Sequence, residues 1–104
     1  MEWVYQCRNL QEVRDQIDTL DRAIVSLIAE RGLYVQQAAD FKQPGDGAED
    51  GKRRDQVMRR VTRLAGELGA DAALTAKIYR EMIGHFSERE RAALLAALPN
   101  GDAA

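Results

Sequence analysis

From Leu10 to Lys42 the chain reads LQEVRDQIDTLDRAIVSLIAERGLYVQQAADFK, and one apolar stripe runs through all of it. Its members are Leu10, Val13, Ile17, Leu20, Ile24, Leu27, Tyr34, Ala38 and Phe41, spaced alternately by three and four, with an arginine at the one missing position, 31. That spacing is one face of an α-helix. The stretch holds no proline and a single glycine, Gly32, and Asn9 followed by Glu12 supplies an N-cap with a capping-box partner. The prediction is one helix over about 9–42. At 1.5 Å per residue it is about 50 Å long, whereas a compact chain of this size has a radius of gyration of about 13 Å. A stripe so long and continuous needs another long helix beside it. A second copy of the chain supplies one.

With 104 residues the chain is expected to be a single domain, 1–104. Its 45% hydrophobic and 31% charged residues, with two prolines, describe a helical globular protein and not a disordered one. A formal net charge of −2 leaves no electrostatic footprint for nucleic acid or an anionic membrane. The lone cysteine, Cys7, builds neither a disulfide framework nor a cysteine metal site within one chain, and fits a reducing compartment. The start, MEWVYQCRN, has neither the basic region nor the apolar core of a signal peptide, and no apolar run reaches membrane-spanning length. The expectation is a soluble cytoplasmic protein.

Trp3, Val4 and Tyr5 are too few to form an element and read as a frayed end or a strap over a helix. Residues 43–51, QPGDGAEDG, end the first helix and read as a mobile loop that can act as a lid. Its glycines follow no strand and no Gly-Lys-Ser/Thr closes the run, so it does not read as a phosphate cradle. A second helix, about 52–68, carries Val57, Val61, Leu64 and Leu68 and stops at Gly69. Lys52, Arg53 and Arg54 fall in its first turn, where cations oppose the helix dipole and are either solvated or hold an anion. The third helix, about 71–98, starts from Asp71 as N-cap and ends at Pro-Asn-Gly. Its face reads Thr75, Tyr79, Met82, Ile83, Phe86 and Leu94, with Glu90 set among them. No strand signal and no internal repeat is present, so the fold class is all-α, with three helices per chain.

Three charged residues interrupt these faces: Arg31, Lys42 and Glu90. Arg31 and Lys42 are eleven residues apart on the predicted helix, three turns, so they project from the same side with Cα atoms roughly 16 Å apart, and their side chains can bracket a small anion. Arg14 lies about 25 Å from Arg31 along the same helix. In an antiparallel pair crossing near Val25, Arg14 of one chain comes level with the Arg31 to Lys42 interval of the other, giving a site shared between subunits. Each residue also has an ordinary reading: Arg14 as a surface ion pair, Arg31 as a snorkelling side chain, Lys42 as a cation at a helix C-terminus, Glu90 as the partner of Arg91. Jointly, they are better explained by a polar ligand. His85 reads as a helix-surface residue, Tyr34 and Phe41 as seam residues, and neither metal spacing nor a Ser-His-Asp arrangement is apparent.

The run VRDQIDTLDRAIVSLIAER followed by FK, an arginine-bearing second helix, and ELGADAALTAKIYREMIGHF resembles the all-helical chorismate mutases. Their relatives include isochorismate pyruvate-lyase and 4-amino-4-deoxychorismate mutase. The resemblance covers about residues 8–96, and its most specific parts are R-x-x-I-D-x-L-D from Arg14 and the eleven-residue step from Arg31 to Lys42. It implies intertwined homodimers with two equivalent sites. It also implies that Arg14, donated across the dimer, and Arg31, in cis, grip substrate carboxylates. Lys42 matches the lysine that meets the ether oxygen and a carboxylate, and Glu90 the other group facing that oxygen. Arg53 or Arg54 matches the second-helix arginine, and Asp50 falls near the loop acid whose backbone meets the ring hydroxyl. Bacterial relatives commonly have glutamine at position 90; this chain has glutamate, as fungal mutases do, and Phe86 replaces a small polar residue of some bacterial mutases.

The implied reaction turns chorismate into prephenate by a pericyclic shift in which C–O cleavage runs ahead of C–C formation. It needs no cofactor and no metal. Two arginines select the reactive conformer, and Lys42, with Glu90 when protonated, donates to the charge developing on the ether oxygen. Three alternatives stay open at this point. Isochorismate pyruvate-lyase would use the same cage to form salicylate, and LYVQQAADFK is somewhat closer to that branch. An amino-substituted chorismate would favour an acid near its amine, which Asp46, Glu49 or Asp50 can supply. A non-catalytic helical dimerisation module would make the seam charges dispensable.

Overall fold

A computed structural model describes residues 3–96, apart from the side chains at positions 48, 93 and 94. Among the described residues there are three helices and no strand: α1 (Leu10–Asp40), α2 (Gly47–Leu68) and α3 (Ala72–Ala96). The fold is all-α. The expected role of Leu94 and the stop at Pro-Asn-Gly lie outside the described residues. The chain divides into two units, Met1–Asp40 and Phe41–Ala104.

The first unit is built on α1. Asn9 caps it: its Oδ1 accepts from Glu12 N–H at 2.8 Å and its carbonyl accepts from Val13 N–H at 3.3 Å. Glu12 closes the box one residue early, accepting from Arg8 N–H at 2.8 Å and from the Arg8 guanidinium at 3.1 Å. The stripe predicted for this helix is regular and uncovered. Leu10, Val13, Ile17, Leu20, Ile24, Leu27 and Tyr34 are between 39% and 64% exposed. Gly32 is the buried residue of the helix. A helix gains most of its stability from packing its apolar face, so α1 in a single chain carries a face still to be buried.

The helix ends at Asp40, short of the predicted end at Lys42. Lys42 therefore follows the helix and belongs with the second unit. The three-turn spacing from Arg31, which supposed one helix through both residues, does not describe its position. Phe41, expected in the seam, is exposed at the helix end, as Tyr34 is on its flank.

In the second unit a Pro44-Gly45 turn leads into α2. Gly45 has φ 95°, and Asp46 N–H donates to the Gln43 carbonyl at 3.2 Å, the arrangement that places proline and then glycine at the centre of a type II turn. The Asp46 side chain accepts from Gln43 N–H at 2.7 Å and makes no side-chain cap on α2. The helix begins at Gly47, ahead of the predicted start at Lys52. Glu49 and Asp50 consequently occupy its first turn, where carboxylates favour the dipole. Lys52, Arg53 and Arg54 sit one turn further in, so the predicted conflict between these cations and the helix N-terminus does not arise.

Helix α2 ends at Gly69, whose φ of 77° is left-handed, with Ala70 N–H donating to the Ala65 carbonyl at 2.8 Å. Asp71 then caps α3, its Oδ1 accepting from Leu74 N–H at 2.9 Å. The two helices pack on each other. Val57, Val61 and Ala65, each four residues from the next, form the buried row of α2. Ala65 takes the place expected of Leu64 and Leu68, which remain exposed. On α3 the partly buried residues are Thr75, Ala76, Tyr79, Met82, Ile83, Phe86 and Glu90, the predicted face with its acid included.

Candidate active site

Three of the residues marked by the sequence converge in the second unit. Lys42 lies in the connection after α1, Asp50 in the first turn of α2, and Glu90 on the partly buried face of α3, four residues beyond Phe86. The Lys42 ammonium donates to Glu90 Oε2 at 2.9 Å and stands 3.4 Å from Asp50 Oδ1. The lysine thus ties the connection to both helices. It does so with a side chain only about a third exposed and a Glu90 side chain more covered still.

Partial burial alone would lower the lysine pKa. The hydrogen bond it donates to Glu90 and the charges of Glu90 and Asp50 outweigh it, and the ammonium titrates above its ordinary value of 10.5. Lys42 is accordingly a charged donor throughout the neutral range. Glu90 meets it as an acceptor, which differs from the ordinary expectation that Glu90 pairs with Arg91.

The other acids of the connection point elsewhere. Asp46 accepts from Gln43 N–H, and Glu49 pairs with Lys52 at 3.3 Å. Asp50 is the loop acid that meets Lys42. Its side-chain role was missed in the sequence, although seven residues separate it from Val57 and eleven from Val61, so it falls on the buried row of α2 once that helix is started early enough.

Arg53 and Arg54 flank this row on either side. The Arg53 guanidinium donates to Gln56 Oε1 at 2.8 Å, and Arg54 Nη2 lies 3.8 Å from where a Cβ on Gly51 would stand. Neither makes an ion pair with Asp50 among the contacts described. In the first unit Arg14 is exposed and Arg31 partly buried on α1. His85 is exposed and packs edge-on against Phe86, the ring centroids 5.5 Å apart. Among the described residues no group of three or more His, Cys, Asp or Glu side chains is placed to hold a metal, and no helix is long and apolar enough to cross a membrane.

The arrangement offers a fixed cationic donor against a half-buried carboxyl, with further arginines nearby in sequence on the same helix. Such a group can hold an anionic ligand and donate to an oxygen that gains charge. Residues 13–91 match the family model for chorismate mutase type II, a segment that contains all seven candidate residues. The chain belongs to this family. It is 34% identical over 77 residues to a chorismate mutase of Methanocaldococcus jannaschii, covering 73% of this chain and 78% of the relative. No solved structure matches the chain. Membership in the type II chorismate mutases accords with the helical architecture and makes the chain an enzyme of the isomerase type.

Proposed function

We propose that the chain is a cofactor-free chorismate mutase that works as a homodimer, with Lys42 and Glu90 at the reacting ether oxygen. The observation that carries this reading is the Lys42 ammonium, held 2.9 Å from Glu90 inside a segment that matches the family. As the C–O bond of chorismate breaks, negative charge grows on the ether oxygen. A lysine fixed as a cation stabilises that charge more in the transition state than in the bound substrate, which is the condition for catalysis. Glu90 adds a second hydrogen bond when it carries a proton.

The two substrate carboxylates go to Arg31 and to Arg14 of the second copy, which together hold the compact conformer in which the reacting carbons meet. Arg53 or Arg54 lies beside the same carboxylates, and the backbone at Asp50 meets the ring hydroxyl. These roles follow the family resemblance, residue by residue. The uncovered stripe of α1 supports the dimer: seven large side chains on one face remain 39–64% exposed, and a second α1 offers the same face in return.

The test is product identification. Purified protein incubated with chorismate and isochorismate together should yield prephenate as its main product. Salicylate with pyruvate as the main products would assign the site to lyase chemistry instead, and turnover of neither substrate would remove the mutase reading.

A further inference from the structure

Lys42 brings one positive charge to a meeting with two carboxylates. Glu90 Oε2 is 2.9 Å from its nitrogen and Asp50 Oδ1 is 3.4 Å away, so with both acids ionised the three side chains carry one negative charge in excess. A site meant for a dicarboxylate gains nothing from a surplus carboxylate unless that carboxylate gives way. Asp50 is the better placed of the two to do so: its side chain is 49% exposed against 26% for Glu90, and its contact is the longer.

The backbone delivers Asp50 to this position. The Pro44-Gly45 turn is closed at both ends by Gln43 and Asp46, the Gln43 carbonyl accepting from Asp46 N–H and the Asp46 carboxylate accepting from Gln43 N–H. The Asp46 carbonyl in turn accepts from Asp50 N–H at 3.0 Å. Hydrogen bonds therefore run from the residue next to Lys42 to Asp50 itself, and the ion pair closes the ring across the turn. The neighbouring acids are spent on other partners, Asp46 on Gln43 and Glu49 on Lys52.

We infer that the Asp50 side chain is an internal competitor for Lys42: it holds the ammonium beside Glu90, and an anionic substrate oxygen takes its place on binding. Asp50 is then a positioning residue whose carboxylate sets substrate affinity, apart from any contact its backbone makes. The kinetic part of this inference rests on the mutase reading; the titration of Lys42 does not.

The experiment uses Asp50→Asn in the full chain, which keeps the backbone hydrogen bond and the side-chain shape, with Glu49→Gln as control. The control loses the same helix-dipole contribution from the same turn but leaves the Lys42 group intact. Asp50→Asn should lower KM for chorismate by about three- to tenfold, the range for removing one partly solvated charge near an anion. Lys42, followed by NMR of the reductively methylated protein with Lys52→Arg and Lys77→Arg for assignment, should titrate at lower pH in Asp50→Asn than in the parent. Glu49→Gln should change neither quantity. An unchanged or raised KM in Asp50→Asn overturns the competition, and an unmoved Lys42 titration overturns the pairing beneath it. Should no chorismate turn over at all while the titration moves, the failure belongs to the proposed function and the pairing stands.

Discussion

Glu90 stands on an otherwise apolar face of α3, four residues from Phe86, and accepts the Lys42 ammonium. A carboxylate in such a place costs solvation unless it is paired, and the lysine supplies the pair. Because the Lys42 pKa is raised in the folded chain, the stabilisation from this pairing is fully present below the ordinary lysine pKa and is lost as pH climbs through the raised value. The neutral range therefore leaves Lys42 unchanged, and a pH effect there must come from another group. If Glu90 presents a proton to the ether oxygen, turnover of the parent depends on that proton being in place. Glu90→Gln is expected to keep activity and give a level profile of kcat from weakly acidic to weakly alkaline pH. A variant whose profile follows the parent's would take the donor role from Glu90. The same substitution removes the leading favourable influence on Lys42, so the strongly alkaline loss of activity should move to lower pH. Glu90 was visible in the sequence because it broke a periodic face. Asp50 was named through the family resemblance for its backbone, but its side-chain contact with Lys42 was not visible, because its row on α2 could be drawn only after the helix start was known.

The elements differ in how far their residues determine them physically. The period of α1 from Leu10 onward leaves one solution, since thirty residues without proline and with apolar side chains at three and four cannot alternate as a strand. Its end was less determined: Phe41 continues the apolar count from Ala38, yet the chain leaves the helix at Asp40, ahead of the turn at Pro44-Gly45. The start of α2 was hidden by Gly47 and Gly51, which argue for a loop, while Glu49 and Asp50 at the helix dipole argue the other way and prevail. The exposed stripe of α1 gives the prediction that belongs to this scale. Ile24→Asp places a charge in the middle of the stripe in both copies of a symmetric pair. It should weaken the dimer by about 3–6 kcal/mol in total, or two to four powers of ten in the dissociation constant measured by sedimentation. An Ile24→Asp protein with the parent's association constant would show that this face is not the interface.

For the whole molecule, the positions of Lys42, Asp50 and Glu90 explain how one unit of the chain assembles a donor group, and the exposed stripe of α1 is the observation on which the proposed second copy rests. Arg14 links the two arguments. It is exposed on α1, about 25 Å along the helix from Arg31, so both arginines can serve one substrate only if they come from different chains. That role was readable from helix length and became specific only through the family resemblance, because a single sequence does not say which of its arginines crosses an interface. The most direct test is therefore complementation between two damaged chains. Arg14→Ala and Arg31→Ala should each abolish chorismate turnover as homodimers, since each leaves a substrate carboxylate unpaired at both sites. Mixed, unfolded and refolded together in equal amounts, they should regain prephenate formation at about a quarter of the parent rate. Random pairing makes about half the dimers mixed, and each mixed dimer has one site with both arginines. No recovery in a mixture shown to contain mixed dimers would contradict a site shared between subunits.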